Sequence, residues 1–128
     1  MSAPVRRAGY STITPYLMTL DVPGLVQFIT QTFQVPTPEL GEGAAGGMMV
    51  DLVVGDSRLL IGTPWMGEAR PVALYIYVDD VDAVYAQALH AGAQSKEEPA
   101  DQRYGDRRAT VTDPFGNLWC LATYLGKD

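Results

Sequence analysis

The stretch Thr14-Pro-Tyr-Leu-Met-Thr-Leu20, followed at once by Asp21, has a counterpart later in the chain, and the pair decides the fold. Ala73-Leu-Tyr-Ile-Tyr-Val78 is also apolar, and Asp80 follows it fifty-nine residues after Asp21. Aromatic and β-branched residues predict a strand in both stretches (11–20 in the first), and each aspartate can cap a following helix. A self-similar period of about sixty residues indicates two copies of one structural unit.

The first unit continues with a helix and a hairpin. Apolar residues recur on one face of the segment after the first strand, which predicts an amphipathic helix to about Gln34. Strands over 48–54 and 57–62 are predicted to turn at Gly55-Asp56. Between the helix and the hairpin, the glycine-rich stretch 41–47 predicts either a mobile loop or a plain surface connection.

The second unit repeats this plan. A helix follows Asp80, the polar stretch 97–105 predicts a loop, and strands over 108–112 and 118–124 flank a turn at Asp113-Pro-Phe-Gly-Asn117. Strand, helix and three strands, twice over, predict an α+β fold with mainly antiparallel sheets. We expect a single domain over 1–128, with modules at about 11–62 and 72–125 joined by a linker over 63–71.

Composition excludes several classes of protein. A chain of 128 residues that is 47% hydrophobic and 19% charged can bury a core, so disorder is not expected. The net charge of −6 and the lack of a Lys/Arg run argue against a nucleic-acid partner. No apolar run matches a secretion signal or a membrane span, and Cys120 is the only cysteine. We therefore expect a cytoplasmic protein with no membrane partner.

Six short motifs carry a resemblance to a known family, and they lie in the family's order across nearly the whole chain. They are Thr14-Pro-Tyr-Leu17, Gly55-Asp-Ser57, Tyr77-Val-Asp-Asp-Val-Asp82, Ala91-Gly-Ala93, Tyr104-Gly-Asp-Arg107 and Asp113-Pro-Phe-Gly-Asn-Leu-Trp119. Together they resemble the vicinal oxygen chelate superfamily (glyoxalases, bleomycin-resistance proteins and extradiol dioxygenases), and within it the PhnB-like branch. The resemblance implies two βαβββ modules that form curled half-barrels around a cavity, paired within one chain or exchanged between two, and a homodimer.

Metal-dependent members of that superfamily place His or Glu at four strand positions. By spacing, the matching positions here are Thr14, Leu59, Ala73 and Cys120. None is a histidine or a carboxylate, and one thiolate cannot fill a coordination shell. The strand before Gly55, where PhnB-like relatives often carry an acidic residue and a histidine, has Asp51 and Met49. We therefore expect no metal and no cofactor, and the pattern favours a binding protein over an enzyme.

Alternation along the strands indicates which side chains would line the cavity. If Thr14 and Ala73 point inward, so do the tyrosines of both first strands, while Leu59 brings Ile61, and Cys120 brings Leu118 and Ala122. The candidate ligand-binding residues are Tyr16, Met18, Met49, Asp51, Trp65, Tyr75, Tyr77, Tyr104 and Cys120. Such a lining suits an aromatic or amphipathic ligand, with a cationic one favoured by the acidic charge. Alternatively, the same rings fill a barrel core.

A charged cluster lies between the polar stretch 97–105 and the strand that follows it. It comprises Arg103, Arg107 and Arg108 with Asp101, Tyr104 and Asp106. Arginines in this setting can clamp a ligand carboxylate, or they can form a solvated ion-pair surface.

Three functions remain open from the sequence. The first is a non-enzymatic protein that sequesters an aromatic or peptide natural product, such as an antibiotic, for drug binding or self-resistance. The second is a metal-independent isomerase or lyase that uses Asp51, a tyrosine or Cys120 as acid or base. The third is a degenerate glyoxalase-like protein that keeps only the fold.

Overall fold

The first five elements form a four-stranded sheet with one helix, which we call module one. A computed structural model of the chain describes residues 5–39, 41–42 and 47–126. The elements are β1 (Tyr16–Met18), α1 (Val22–Phe33), β2 (Gly41–Glu42), β3 (Met48–Val54) and β4 (Ser57–Gly62). The strands lie in the order β1-β4-β3-β2 and form sheet A.

The next five elements form a second sheet and helix, which we call module two. They are β5 (Ala73–Tyr77), α2 (Val81–His90), β6 (Gln94–Asp101), β7 (Asp106–Thr112) and β8 (Leu118–Tyr124). Sheet B has the order β5-β8-β7-β6, which repeats the topology of sheet A. In each sheet the first strand pairs in parallel with the last strand, and all other pairs are antiparallel. The predicted α+β fold with mainly antiparallel sheets is confirmed.

Both helices begin at the predicted aspartates. The Asp21 carboxylate accepts a hydrogen bond from the Gly24 amide at 3.0 Å, and the Asp80 carboxylate accepts one from the Ala83 amide at 3.1 Å. Each bond satisfies a backbone donor that the first helical turn leaves free. In the part of the chain that the structure describes, neither helix is long and apolar enough to cross a membrane.

One hydrophobic core serves both modules. It contains the apolar face of α1 and the helix-side residues of both sheets. The rings of Phe28 and Phe33 on α1 lie 6.1 Å and 5.5 Å from the ring of Trp119 on β8. The contacts between modules run mainly through α1 and α2. The face of each sheet that bears helices is therefore committed to this shared core.

Two predicted boundaries are wrong. The first strand pairs only over Tyr16–Met18, and the stretch predicted as a loop forms most of β6, which runs to Asp101. β6 is the edge of sheet B and is almost entirely exposed, so polar residues are tolerated there and the apolar alternation that marks a strand is missing. Its register shifts between Ser95 and Glu97 and again between Glu97 and Ala100; the second interval contains Pro99, which cannot donate a ladder hydrogen bond.

The glycine-rich stretch 41–47 is partly ordered into the sheet. Gly41 and Glu42 form β2 and pair with Met49 and Met48. The predicted mobile loop or surface connection falls mainly on 43–46, which lie outside the described residues.

Candidate functional site

Each sheet has one face packed on the shared core and one face turned away from it, which we call the open face. Along β1, β3 and β4 the buried residues Leu17, Val50 and Ile61 alternate with less buried neighbours. The alternation places six larger side chains on the open face of sheet A: Tyr16, Met18, Met49, Asp51, Arg58 and Leu60. Four of the predicted ligand-binding residues thus share one surface.

The prediction that Leu59 and Ile61 share this face is wrong. Leu59 is 3% exposed and Ile61 is 0% exposed, and both belong to the core. Leu60 lies on the open face instead, opposite Tyr16 on one side and Asp51 on the other. The prediction chose the wrong face by one residue. Three consecutive residues of β4 are apolar, so no alternation between apolar and polar residues indicates which of them faces the core.

Asp51 is held by partners within the chain. Its Oδ1 accepts a hydrogen bond from Arg58 at 2.6 Å, and its Oδ2 accepts one from the Tyr10 hydroxyl at 2.5 Å. The Arg58 guanidinium lies 4.8 Å from the centre of the Tyr10 ring and also donates to the Gly9 carbonyl at 3.1 Å. The bond to Asp51 raises the pKa of Tyr10 above 10.0, so its hydroxyl stays protonated. These contacts hold the N-terminal segment against sheet A.

The other end of this face carries an aromatic pair. The rings of Tyr16 and Trp65 meet edge to face with centroids 4.8 Å apart, so the linker after β4 folds back onto the open face. Gly62 lies opposite both Met18 and Met49, and a side chain there would collide with the Tyr16 ring. Glycine at this position therefore makes room for the pair.

On the open face of sheet B, two tyrosines converge on a buried carboxylate. Asp106 is 4% exposed, and its Oδ2 accepts hydrogen bonds from the hydroxyls of Tyr75 at 2.6 Å and Tyr77 at 2.9 Å. The hydroxyls of Tyr75 and Tyr104 lie 3.1 Å apart. Partial burial and the bond to Asp106 raise the pKa of Tyr75, and the bond to Asp106 raises that of Tyr77. Both phenols therefore remain neutral donors.

The network continues across the sheet through Arg108. This side chain donates to the Tyr104 hydroxyl at 3.1 Å and to both carboxylate oxygens of Glu97, each at 3.1 Å. Thr110 also donates to Glu97, and this hydrogen bond, with the charge of Arg108, lowers the pKa of the carboxyl below 4.5. Glu97 is therefore an ionised partner of Arg108. Cys120 lies in the same surface, opposite Tyr75 and Thr110.

The predicted arginine cluster is divided by strand alternation. Arg107 and Arg108 are neighbours on β7 and project to opposite faces of the sheet. Arg107 forms ion pairs with Asp82 on α2 at 3.1 Å and with Asp101 at 2.9 Å. Arg108 pairs with Glu97 on the open face. Of the two alternatives left open by the sequence, these contacts match the ion-pair surface.

The predicted ligand-binding residues thus form two groups, one on each sheet. Within the described part of the chain, the hydrogen bonds and ring contacts of these residues do not join one sheet to the other. Sequence reasoning missed Tyr10, which lies 41 residues from Asp51 along the chain. It also missed Arg58, which lies 7 residues from Asp51 and diagonally across the predicted hairpin, so the hairpin register could have revealed it. It also missed the role of Asp106, which its alternation with Arg108 and Thr110 could have revealed had the bounds of β7 been known.

The residues present do not fit the metal ion of the metal-dependent relatives. Thr14, Leu60 and Ala73 supply no imidazole or carboxylate at the equivalent open-face positions. Among the described residues, no group of three His, Cys, Asp or Glu side chains could hold a metal ion. We therefore derive no chemical step through a metal.

The sequence profile of the Glyoxalase/Bleomycin resistance protein/Dioxygenase superfamily matches residues 21–121, so the chain belongs to that superfamily. Among its relatives is the uncharacterized protein Rv0887c of Mycobacterium tuberculosis, 30% identical over 123 residues that cover 85% of this chain and 72% of that protein. The uncharacterized protein Mb0911c of Mycobacterium bovis is also 30% identical over 123 residues, which cover 85% of this chain and 80% of that protein. The PhnB-like branch stays a prediction.

Solved structures share the fold. TioX from Micromonospora sp. ML1 superposes with a TM-score of 0.70 at 24% identity, covering 90% of this chain and 99% of that one. A glyoxalase/bleomycin resistance protein/dioxygenase family enzyme from Burkholderia phytofirmans PsJN superposes with a TM-score of 0.66 at 20% identity, covering 86% and 95%. At these identities the likeness concerns architecture alone.

Proposed function

We propose that this chain is a non-enzymatic small-molecule-binding protein whose site is completed by a second copy. In this arrangement the open face of sheet A in one copy faces the open face of sheet B in the other. The two faces together enclose the ligand, so a homodimer carries two equivalent sites.

The observation that carries the proposal is the exposure of aromatic side chains on both open faces. Tyr75 is 43% exposed, Tyr77 is 63% exposed and Trp65 is 50% exposed. Ligand sites usually bury most of the ligand surface, which one open sheet cannot do. Because the other face of each sheet is committed to the shared core, the second wall has to come from another molecule.

The chemistry of the two faces favours an aromatic or amphipathic ligand, such as a peptide natural product or an antibiotic. Tyr16 and Trp65 offer ring faces, and Met18 and Met49 can adapt to an irregular shape. Asp51 and Glu97 are neutralised by arginines. Asp106 has only phenol partners within the described chain, so its uncompensated charge favours a ligand with a cationic group.

The alternative is a metal-independent enzyme, and the geometry of its candidate acid and base residues supports it less well. Asp51 is occupied by Tyr10 and Arg58. The thiol of Cys120 takes part in no hydrogen bond among the residues that the structure describes. The raised pKa of Tyr75 keeps its phenol protonated at neutral pH, so no phenolate is available as a general base. Turnover of a bound compound, followed by mass spectrometry, would favour this alternative.

A thermal-shift screen tests the proposal. The panel contains the protein alone, with Ni²⁺, Mn²⁺ or Zn²⁺, and with peptide, quinone and aminoglycoside antibiotics. A ligand that binds only the folded state raises the melting temperature by mass action. We expect at least one antibiotic to raise it and the metals to leave it unchanged. A response to metals alone would overturn the proposal, as would no response to any compound.

A further inference from the structure

One chain by itself also forms a cavity, which lies at the boundary between the two modules. It encloses about 620 Å³ between the end of α1, the turn that joins β3 to β4, and the first turn of α2. Strand β5, which is the edge of sheet B opposite β6, forms one wall. This volume is typical of sites for small organic molecules. We call this cavity the module cleft.

The inner wall of the module cleft is apolar. Phe33, Val35, Val54, Ile76 and Val84 line it, and all five are partly buried against the shared core. An apolar wall of this kind can take up the hydrocarbon or aromatic part of a ligand. The edge of β5 also lines the module cleft along 75–77, although the hydroxyls of Tyr75 and Tyr77 bond to Asp106 on the open face.

The charged side chains that line the module cleft have one sign. Asp56, Asp79 and Asp80 line it, and none of the described residues that line it is basic. The last turn of α1, which ends at the cleft, also carries no basic residue, so the partial negative charge of its terminal carbonyls is not balanced there. Asp80 is occupied in capping α2. Asp56 accepts a hydrogen bond from the neutral Ser57 hydroxyl at 3.1 Å, which does not cancel its charge, so Asp56 and Asp79 can attract a cation.

We propose that the module cleft binds a small organic cation, namely a protonated amine attached to an aromatic body. The amine lies near Asp56 and Asp79, while the aromatic part packs on the apolar wall. One chain forms this site, so it does not depend on the composite site proposed between two copies.

Three matched probes test the ligand class. They are 1-naphthylmethylamine, which is a cation at neutral pH, the neutral 1-naphthalenemethanol and the anionic 1-naphthoate. Each is titrated into the isotopically labelled full chain and followed by amide NMR shifts. We expect the amine to bind about fivefold more tightly than the alcohol and the acid to bind more weakly than both, with shifts at 54–57 and 79–84. Equal binding of all three, or shifts confined to other regions, would overturn the proposal.

Charge variants test whether the carboxylates of the module cleft attract the amine. The double substitution Asp56→Asn with Asp79→Asn should weaken amine binding about fivefold and leave the alcohol unaffected. Glu68→Gln with Glu98→Gln changes the net charge equally at two exposed sites outside the cleft, and it should leave amine binding unchanged. Equal loss in both pairs would mean that only net charge matters.

Two further variants separate this site from the composite one. Ala83→Leu should fill the cleft and weaken both the amine and the alcohol, because a larger side chain would project from the exposed first turn of α2. Tyr16→Ala, on the open face of sheet A, should leave amine binding unchanged. Loss of amine binding on Tyr16→Ala but not on Ala83→Leu would place the amine at the open face and sink the module cleft as its site.

Discussion

At the scale of single residues, Asp113 explains the last of the six family motifs, which runs from Asp113 to Trp119. Its Oδ1 accepts hydrogen bonds from the amides of Phe115 at 2.8 Å and Asn117 at 3.0 Å. Its Oδ2 accepts from the Asn117 side chain at 2.9 Å and from the Trp119 indole at 2.8 Å. Asn117 in turn accepts from the Val72 amide at 2.9 Å. The motif therefore anchors Trp119 and the start of β5, which is a structural role.

Replacing Asp113 tests that role. Asp113→Ala leaves several buried donors without an acceptor, so we expect it to lower the free energy of unfolding by about 3 kcal/mol. Urea denaturation followed by tryptophan fluorescence measures the change. Glu68→Ala, at an exposed position, is the control and should stay within about 0.5 kcal/mol of the parent. A loss below about 1 kcal/mol for Asp113→Ala would contradict this account.

At the scale of elements, α1 ends in an unusual way. Gln34 adopts the left-handed conformation with φ 55, which is normally occupied by glycine. Its side chain donates to the Gln31 carbonyl at 2.6 Å, and its backbone amide donates to the Thr30 carbonyl. These bonds close the helix end, but an L-residue with a Cβ pays a steric cost there.

Two glycine substitutions near this helix end should act in opposite directions. Gln34→Gly removes the steric cost of a Cβ in the left-handed conformation. It should raise the free energy of unfolding by about 0.5 kcal/mol, after allowance for the lost hydrogen bond from the Gln34 side chain to the Gln31 carbonyl. Gln31→Gly, inside the helix and also exposed, should destabilise it by about 1 kcal/mol. Thermal unfolding followed by circular dichroism shows whether each variant is more or less stable than the parent. If both variants are destabilised alike, the left-handed strain at Gln34 is not significant.

At the scale of the whole molecule, the placement of the two open faces leads to a prediction about assembly. We expect the parent to elute as a dimer of two 13.9 kDa chains in size-exclusion chromatography with light scattering. Tyr77→Ala should remain folded, because Tyr77 is 63% exposed in the single chain. It should also remain dimeric while losing about tenfold in affinity for any antibiotic found by the screen. A parent protein that is monomeric at micromolar concentration would overturn the composite site.

The parts of the fold that follow from local chemistry were readable from the sequence. The spacing between Asp21 and Asp80 revealed the duplicated unit, because capping and strand patterns depend on neighbours along the chain. β8 was predicted with its observed bounds. β6 was not, since an exposed edge strand needs no apolar alternation.

The sequence alone determined the superfamily, the order of the elements and the absence of histidine from the strand positions where metal-dependent relatives bind their ion. Only the tertiary structure decided that Leu60 rather than Leu59 lies on the open face, that Tyr10 and Arg58 hold Asp51, and that the modules leave a cleft between them. Periodicity and capping act over a few residues, whereas the facing of a strand and the meeting of distant side chains are set by pairing register and by packing of the whole chain.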